Sequence, residues 1–133
     1  MKVLVKKKTN TLGNDEMICI KKFIRLLQSK LPLNHSISII FTNNRTGVMT
    51  TGVRKPNNEI KVLFKGRLLI DILRTLSHEW VHEYQHQKLN LDNKKKIQDI
   101  GGPEENMANT LSGILVKLFA KKHPETENLL YNE

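Results

Sequence analysis

From Arg67 to about Leu89 the apolar residues Leu68, Leu69, Ile72, Leu73, Leu76, Trp80 and Val81 return every three or four positions. That period lines one face of an α-helix with side chains that must leave water. A pattern this long constrains the chain more than any other, because other elements must cover that face. The same helix carries His78, Glu79 and His82, which fall outside the apolar stripe.

Elements able to cover it can be read on either side. Met17, Ile20, Phe23, Ile24 and Leu27 recur at helical spacing until Pro32, predicting a first helix that Asp15 can cap, with Cys19 near its surface. The run Ser36 to Phe41 is rich in β-branched residues and suits a strand. Two more extended segments, around Val48 to Val53 and Glu59 to Phe64, flank the turn-like Lys55-Pro56-Asn57-Asn58. Three such strands predict a small, mostly antiparallel sheet. The polar stretch from Asn90 to Asp99 reads as a loop, and Gly101-Gly102-Pro103 breaks the chain before a last helix. That helix is expected to turn Met107, Leu111, Ile114, Leu115, Leu118 and Phe119 inward and to end near Lys121-Lys122. The class is therefore α+β.

A length of 133 residues suits one domain over 1–133, and 38% hydrophobic against 26% charged residues suits a folded globule. The lone Cys19 excludes an intrachain disulfide and a multi-thiolate metal cluster, so a bound metal must be held by histidine and carboxylate. Val3-Leu4-Val5 is too short for a signal peptide, and no later run reaches membrane-spanning length, so the expected setting is the cytoplasm, with no membrane. The net charge of +9 can attract nucleic acid or an acidic protein, although the lysines fall in separate clusters without interleaved aromatics.

His78 and His82 are four residues apart, which on a helix puts both rings on one face about 6 Å apart along the axis, able to grip one tetrahedral ion. In the chemistry this spacing permits, the metal activates a water while the adjacent carboxylate, Glu79, takes its proton and later delivers it to the leaving amine. The pattern occurs twice, because His82-Glu83-Tyr84-Gln85-His86 repeats it. Three histidines at successive four-residue steps cannot share an ion, His78 and His86 being about 12 Å apart along the axis. The first register is preferred because it lies deeper in the apolar helix. A third ligand is expected after the glycine break, where Glu104 and Glu105 open the last helix.

In this arrangement the chain resembles the gluzincin metallopeptidases, in which a glutamate on a following helix completes the site. Glu105-Asn106-Met107-Ala108-Asn109 is similar to the Glu-x-x-Ala-Asn signature of the ImmA/IrrE family of regulatory metallopeptidases, and Pro103 to Ala108 to a run in small phage metallopeptidases. The resemblance covers roughly Leu68 to Phe119. It implies a minimal gluzincin-like core, Zn2+ as cofactor, Glu105 as third ligand, and Asn109 hydrogen-bonded to the far nitrogen of a zinc-binding histidine, His78. After Asn109 this chain has Leu111 and Ser112 where the family has an aromatic residue and alanine, and no DNA-binding helix-turn-helix accompanies it. A SprT-like protease near DNA would suit the charge but calls for a third histidine that is not placed here.

The expectation is thus a zinc metallopeptidase acting on a protein or peptide, with His78, His82 and Glu105 as ligands and Glu79 as base. The alternative is a non-catalytic, zinc-stabilised basic protein that binds nucleic acid or an acidic partner.

Overall fold

A computed structural model of the chain describes residues 3–8, 13–43, 52–55, 58–89 and 103–131. In chain order these form strand β1 (Val3–Lys8), helix α1 (Asn14–Lys30), strands β2 (Ile37–Thr42), β3 (Gly52–Lys55) and β4 (Glu59–Leu63), then helices α2 (Leu69–Leu89) and α3 (Pro103–Lys122). A short 3-10 turn (Pro124–Thr126) leads into α4 (Glu127–Tyr131).

The α+β class is as expected, but the sheet is not the three-stranded, mostly antiparallel one. It has four strands in the order β1-β2-β4-β3. β1 and β4 flank β2 in parallel, and only β3 runs antiparallel, against β4. The unforeseen strand is β1. Half of it is lysine, and its apolar part is three residues long, so propensity does not mark it as a strand. Its pairing with β2 is a tertiary event, because parallel neighbours need a crossover, which α1 supplies. The hairpin does form: β3 pairs with β4 from Lys55↔Glu59 to Gly52↔Val62, and Asn58 takes the left-handed φ of 60° that such turns demand. Lys55, expected in the turn, is the last residue of β3, and the greater part of the expected strand around Val48 to Val53, with the expected Asn90 to Asp99 loop, lies outside the described residues.

β2 is buried along almost its whole length, with Ile39 and Phe41 fully so. α1 presents Ile20, Phe23, Ile24 and Leu27 to the same core, and α2 adds Ile72, Leu73, Leu76 and Trp80. Phe23 meets Phe119 of α3 edge to face, ring centres 5.2 Å apart. Trp80 resolves the problem of a buried N–H by donating to the Leu31 carbonyl at 2.9 Å.

Three local expectations are corrected. Gly13, rather than Asp15, is the N-cap of α1, and Glu16 Oε1 accepts the Gly13 N–H at 3.3 Å. Cys19 is buried, since positions 19, 23 and 26 continue the apolar face at helical spacing. On α3 Leu115 and Phe119 are buried and Leu111 and Leu118 pack against the core as expected, but Ile114 is exposed, and Ala108, Ser112 and Val116 join the buried face instead. Among the described residues no helix is long and apolar enough to cross a membrane.

Two outcomes follow from this packing. Burial pushes the Cys19 thiol up to about 11, so the native protein at pH 8 should resist iodoacetamide and react only after unfolding in urea. Leu76→Ala, at a fully buried position, should lower unfolding free energy by about 2–5 kcal/mol in urea titration with little change in slope.

Candidate metal centre

α2 presents three longitudinal stripes, and each meets a different neighbour. Ile72, Leu73, Leu76 and Trp80 enter the core. One turn apart along a second line lie Thr75, Glu79, Glu83 and Gln87, which face β3 and the loop before β2. His78 and His82 lie on a third line, facing the start of α3. The four-residue step that repeats along these lines is why the sequence motif occurs twice.

On the third line the three expected ligands converge. His78 Nε2 lies 2.9 Å and His82 Nε2 2.8 Å from Glu105 Oε1, and the two nitrogens are 3.2 Å apart. These atoms form the one His/Cys/Asp/Glu group among the described residues that can hold a metal ion. All three residues are partly exposed. Tetrahedral coordination at about 2.0–2.1 Å spaces ligand atoms roughly 3.3 Å apart, so a spreading of roughly half an ångström or less admits an ion.

Hydrogen bonding strengthens the fit. Fully buried Gln85 donates from its side-chain Nε2 to the Glu104 carbonyl at 2.9 Å, and that carbonyl can only accept. The amide orientation follows, leaving Gln85 Oε1 to accept a proton from His82 Nδ1, 2.9 Å away. With Nδ1 engaged by Gln85, it is Nε2 of His82 that is turned to Glu105 and is the nitrogen placed to ligate an ion. A proton can bridge only two of the three converging atoms, whereas a cation at their centre meets all three. Burial pushes the Glu105 carboxyl up, but the hydrogen bonds and charges of His82 and His78 outweigh it, and the group is held below the usual carboxylate range.

The competing assignments separate cleanly. Glu104 contributes its backbone carbonyl to Gln85 and is not in the ligand group. In the second register, Glu83 is fully buried and spent on a salt bridge to Arg54 Nε at 2.7 Å and on Gln87 Nε2 at 2.6 Å, while His86 is exposed and outside the group. Asn109 lines the cavity beside His78, yet among the described residues no hydrogen bond joins the two; the histidine with its far nitrogen held is His82, and the group holding it is Gln85.

Glu79 lies on the β3 side of the ligands, in the wall of a cavity of about 590 Å3 that also includes His78. Burial holds its carboxyl above the ordinary range, against the pull of His78 and His82. The Arg54 backbone N–H of β3 donates to this carboxylate, so the edge of β3 turned away from β4 faces the site. So close an approach needs glycine at position 52. A Cβ there would lie 2.5 Å from Thr75 Cγ2 and 3.3 Å from Glu79 Cγ.

Sequence reasoning missed Gln85, Arg54 and Gly52. A large amide three residues beyond a ligating histidine on an apolar helix was a usable signal for the first, and an isolated glycine in a strand for the last. Compared with models of known protein families and with curated proteins, the chain matches none.

Gln85→Leu should keep the fold and weaken the affinity for a divalent metal ion about 10- to 100-fold, as measured by chelator competition, because it removes the group that orients His82. Unchanged affinity would show that Gln85 serves only to pack α2 on α3.

Proposed function

We propose that this chain is a zinc-dependent metallopeptidase of gluzincin type that hydrolyses a peptide bond, with His78, His82 and Glu105 holding the ion and Glu79 as general base. One observation carries the reading. A partly buried carboxylate of raised basicity, Glu79, sits on the residue next to a ligand of the His78/His82/Glu105 group, and it borders one cavity together with His78. Two imidazoles and one carboxylate form a donor set suited to zinc and leave a fourth position open.

Zinc, when bound, polarises the scissile carbonyl and makes water a better nucleophile at neutral pH. The remaining work falls to the chain itself. Glu79 accepts the proton of the attacking water and passes it to the leaving amine, and its burial matches its affinity for a proton to that task. Gln85 keeps His82 Nε2 aimed at the ligand centre. The β3 edge offers an extended peptide a row of backbone groups alongside Glu79, as added-strand recognition requires. We place the reaction in the cytosol, where the lone thiol of Cys19 stays reduced.

The salt bridge between Arg54 and Glu83 locks β3 to α2 with both side chains almost fully buried. Substrate strand and base are thereby held to one body.

Glu79→Gln should retain one zinc per chain by elemental analysis while losing about 10²–10⁴-fold of the hydrolysis of quenched fluorogenic peptides. Hydrolysis that survives the substitution would remove Glu79 from the mechanism. A zinc-loaded wild type that cuts no peptide would remove the peptidase reading itself.

A further inference from the structure

The cavity beside the ligand centre has an unusual wall. Among the described residues no aliphatic side chain and no Phe, Tyr or Trp lines it; besides Gly52, His78 and Glu79 the lining is Arg67, Asp71, Arg74, Thr75, Asn109 and Ser112. A pocket of about 590 Å3 is large enough for a substrate side chain, and pockets of that size are usually mostly apolar. Its described wall is instead mostly polar and charged.

Its charges are unequal. Among the described residues two guanidiniums border the cavity against the carboxylate of Asp71, apart from Glu79 beside the ligand group. Arg67 is fixed in place, donating to the Leu63 carbonyl at 2.9 Å, the Asp71 carbonyl at 3.0 Å and Thr75 Oγ1 at 2.6 Å. Arg74 is held differently. Its one ion-pair contact is a single-point approach of Nη1 to Asp71 Oδ1 at 3.2 Å, with side chains 55% and 44% exposed. Exposed single-point pairs of this kind contribute little and exchange readily, whereas a guanidinium meeting a carboxylate with two parallel donors is the stronger arrangement. An incoming carboxylate can therefore displace Asp71 from Arg74 and gain a second hydrogen bond.

From this we infer that the cavity is the specificity subsite for an acidic residue, aspartate or glutamate, of the peptide substrate, and that Arg74 selects it. The inference rests on the metallopeptidase reading for its substrate class. Arg74 and His78 are one turn apart on α2, which places the selecting group next to the ligand centre and on the same rigid element. Asp71 acts as a place-holder that gives Arg74 a partner until the substrate arrives.

The test uses the full-length, zinc-loaded protein and a set of acetylated dipeptide hydroxamates that differ only in the residue next to the hydroxamate: Glu, Asp, Gln, Leu or Lys. Calorimetric titration should show Glu or Asp bound at least about tenfold tighter than Gln or Leu, with the gap narrowing at high salt. Arg74→Glu should abolish that preference and favour Lys, and Asp71→Asn should widen it. Both positions are exposed on α2, so the folded state should tolerate the changes. Preference for Leu, a ranking untouched by Arg74→Glu, or no binding by any member of the set would overturn the inference. The two readings fail separately. Acidic preference without cleavage of any fluorogenic peptide leaves the subsite standing and removes the peptidase; cleavage with an apolar preference does the reverse.

Discussion

Burial of Ile72, Leu73, Leu76 and Trp80 anchors α2 in the core, and by fixing the helix about its own axis it fixes where every other side chain on it emerges. His78 and His82 then face α3 because they cannot face anything else, and Thr75, Glu79 and Glu83 face β3 for the same reason. The site inherits its precision from packing. A helix free to rotate by one residue would exchange the histidine line for the line that meets β3, so the core around Trp80 is also what holds Glu79 beside His78 and His82.

The polar line against β3 carries a cost of its own. Arg54 and Glu83 are both nearly excluded from water, and charges so placed lose hydration that their mutual attraction only partly restores. What offsets the loss is the set of further contacts. Glu83 Oε2 takes a hydrogen bond from Gln87, and Gln87 Oε1 accepts the backbone N–H groups of Asn34 and His35 at 2.7 and 2.9 Å. The network ties the short edge strand and the loop before β2 to one helix. Its consequence for chemistry is rigidity between the β3 backbone, which donates to Glu79, and the ligands one line round the helix.

Much of this was legible in the residues. Helical spacing alone placed His78 and His82 on one face with Glu79 on the adjoining stripe, and the α3 resemblance singled out Glu105, which the structure brings to both histidines. The legibility ended where the burden passed to contacts distant in sequence. Asn109, expected to hold a histidine, borders the cavity, while the amide that does hold one is Gln85. Ile114 looked buried by hydrophobicity and is exposed, because α3 is turned by what it packs against. β1 was passed over because three apolar residues followed by lysines have little strand propensity, and its pairing partner lies more than thirty residues away.

The sequence by itself determined the helix, its apolar face and the three-residue machinery of His78, Glu79 and His82, because those relations follow from a 3.6-residue period and need no partner. Tertiary structure decided which of the two overlapping registers meets a carboxylate able to complete a metal-holding group. Glu83 was withdrawn into a buried salt bridge with Arg54, and α3 delivered Glu105 to the first pair. It also decided the sheet's parallel order and the close approach at Gly52. Those outcomes rest on strands and helices meeting across the fold, where the energy of a contact depends on both surfaces and only one of them is local.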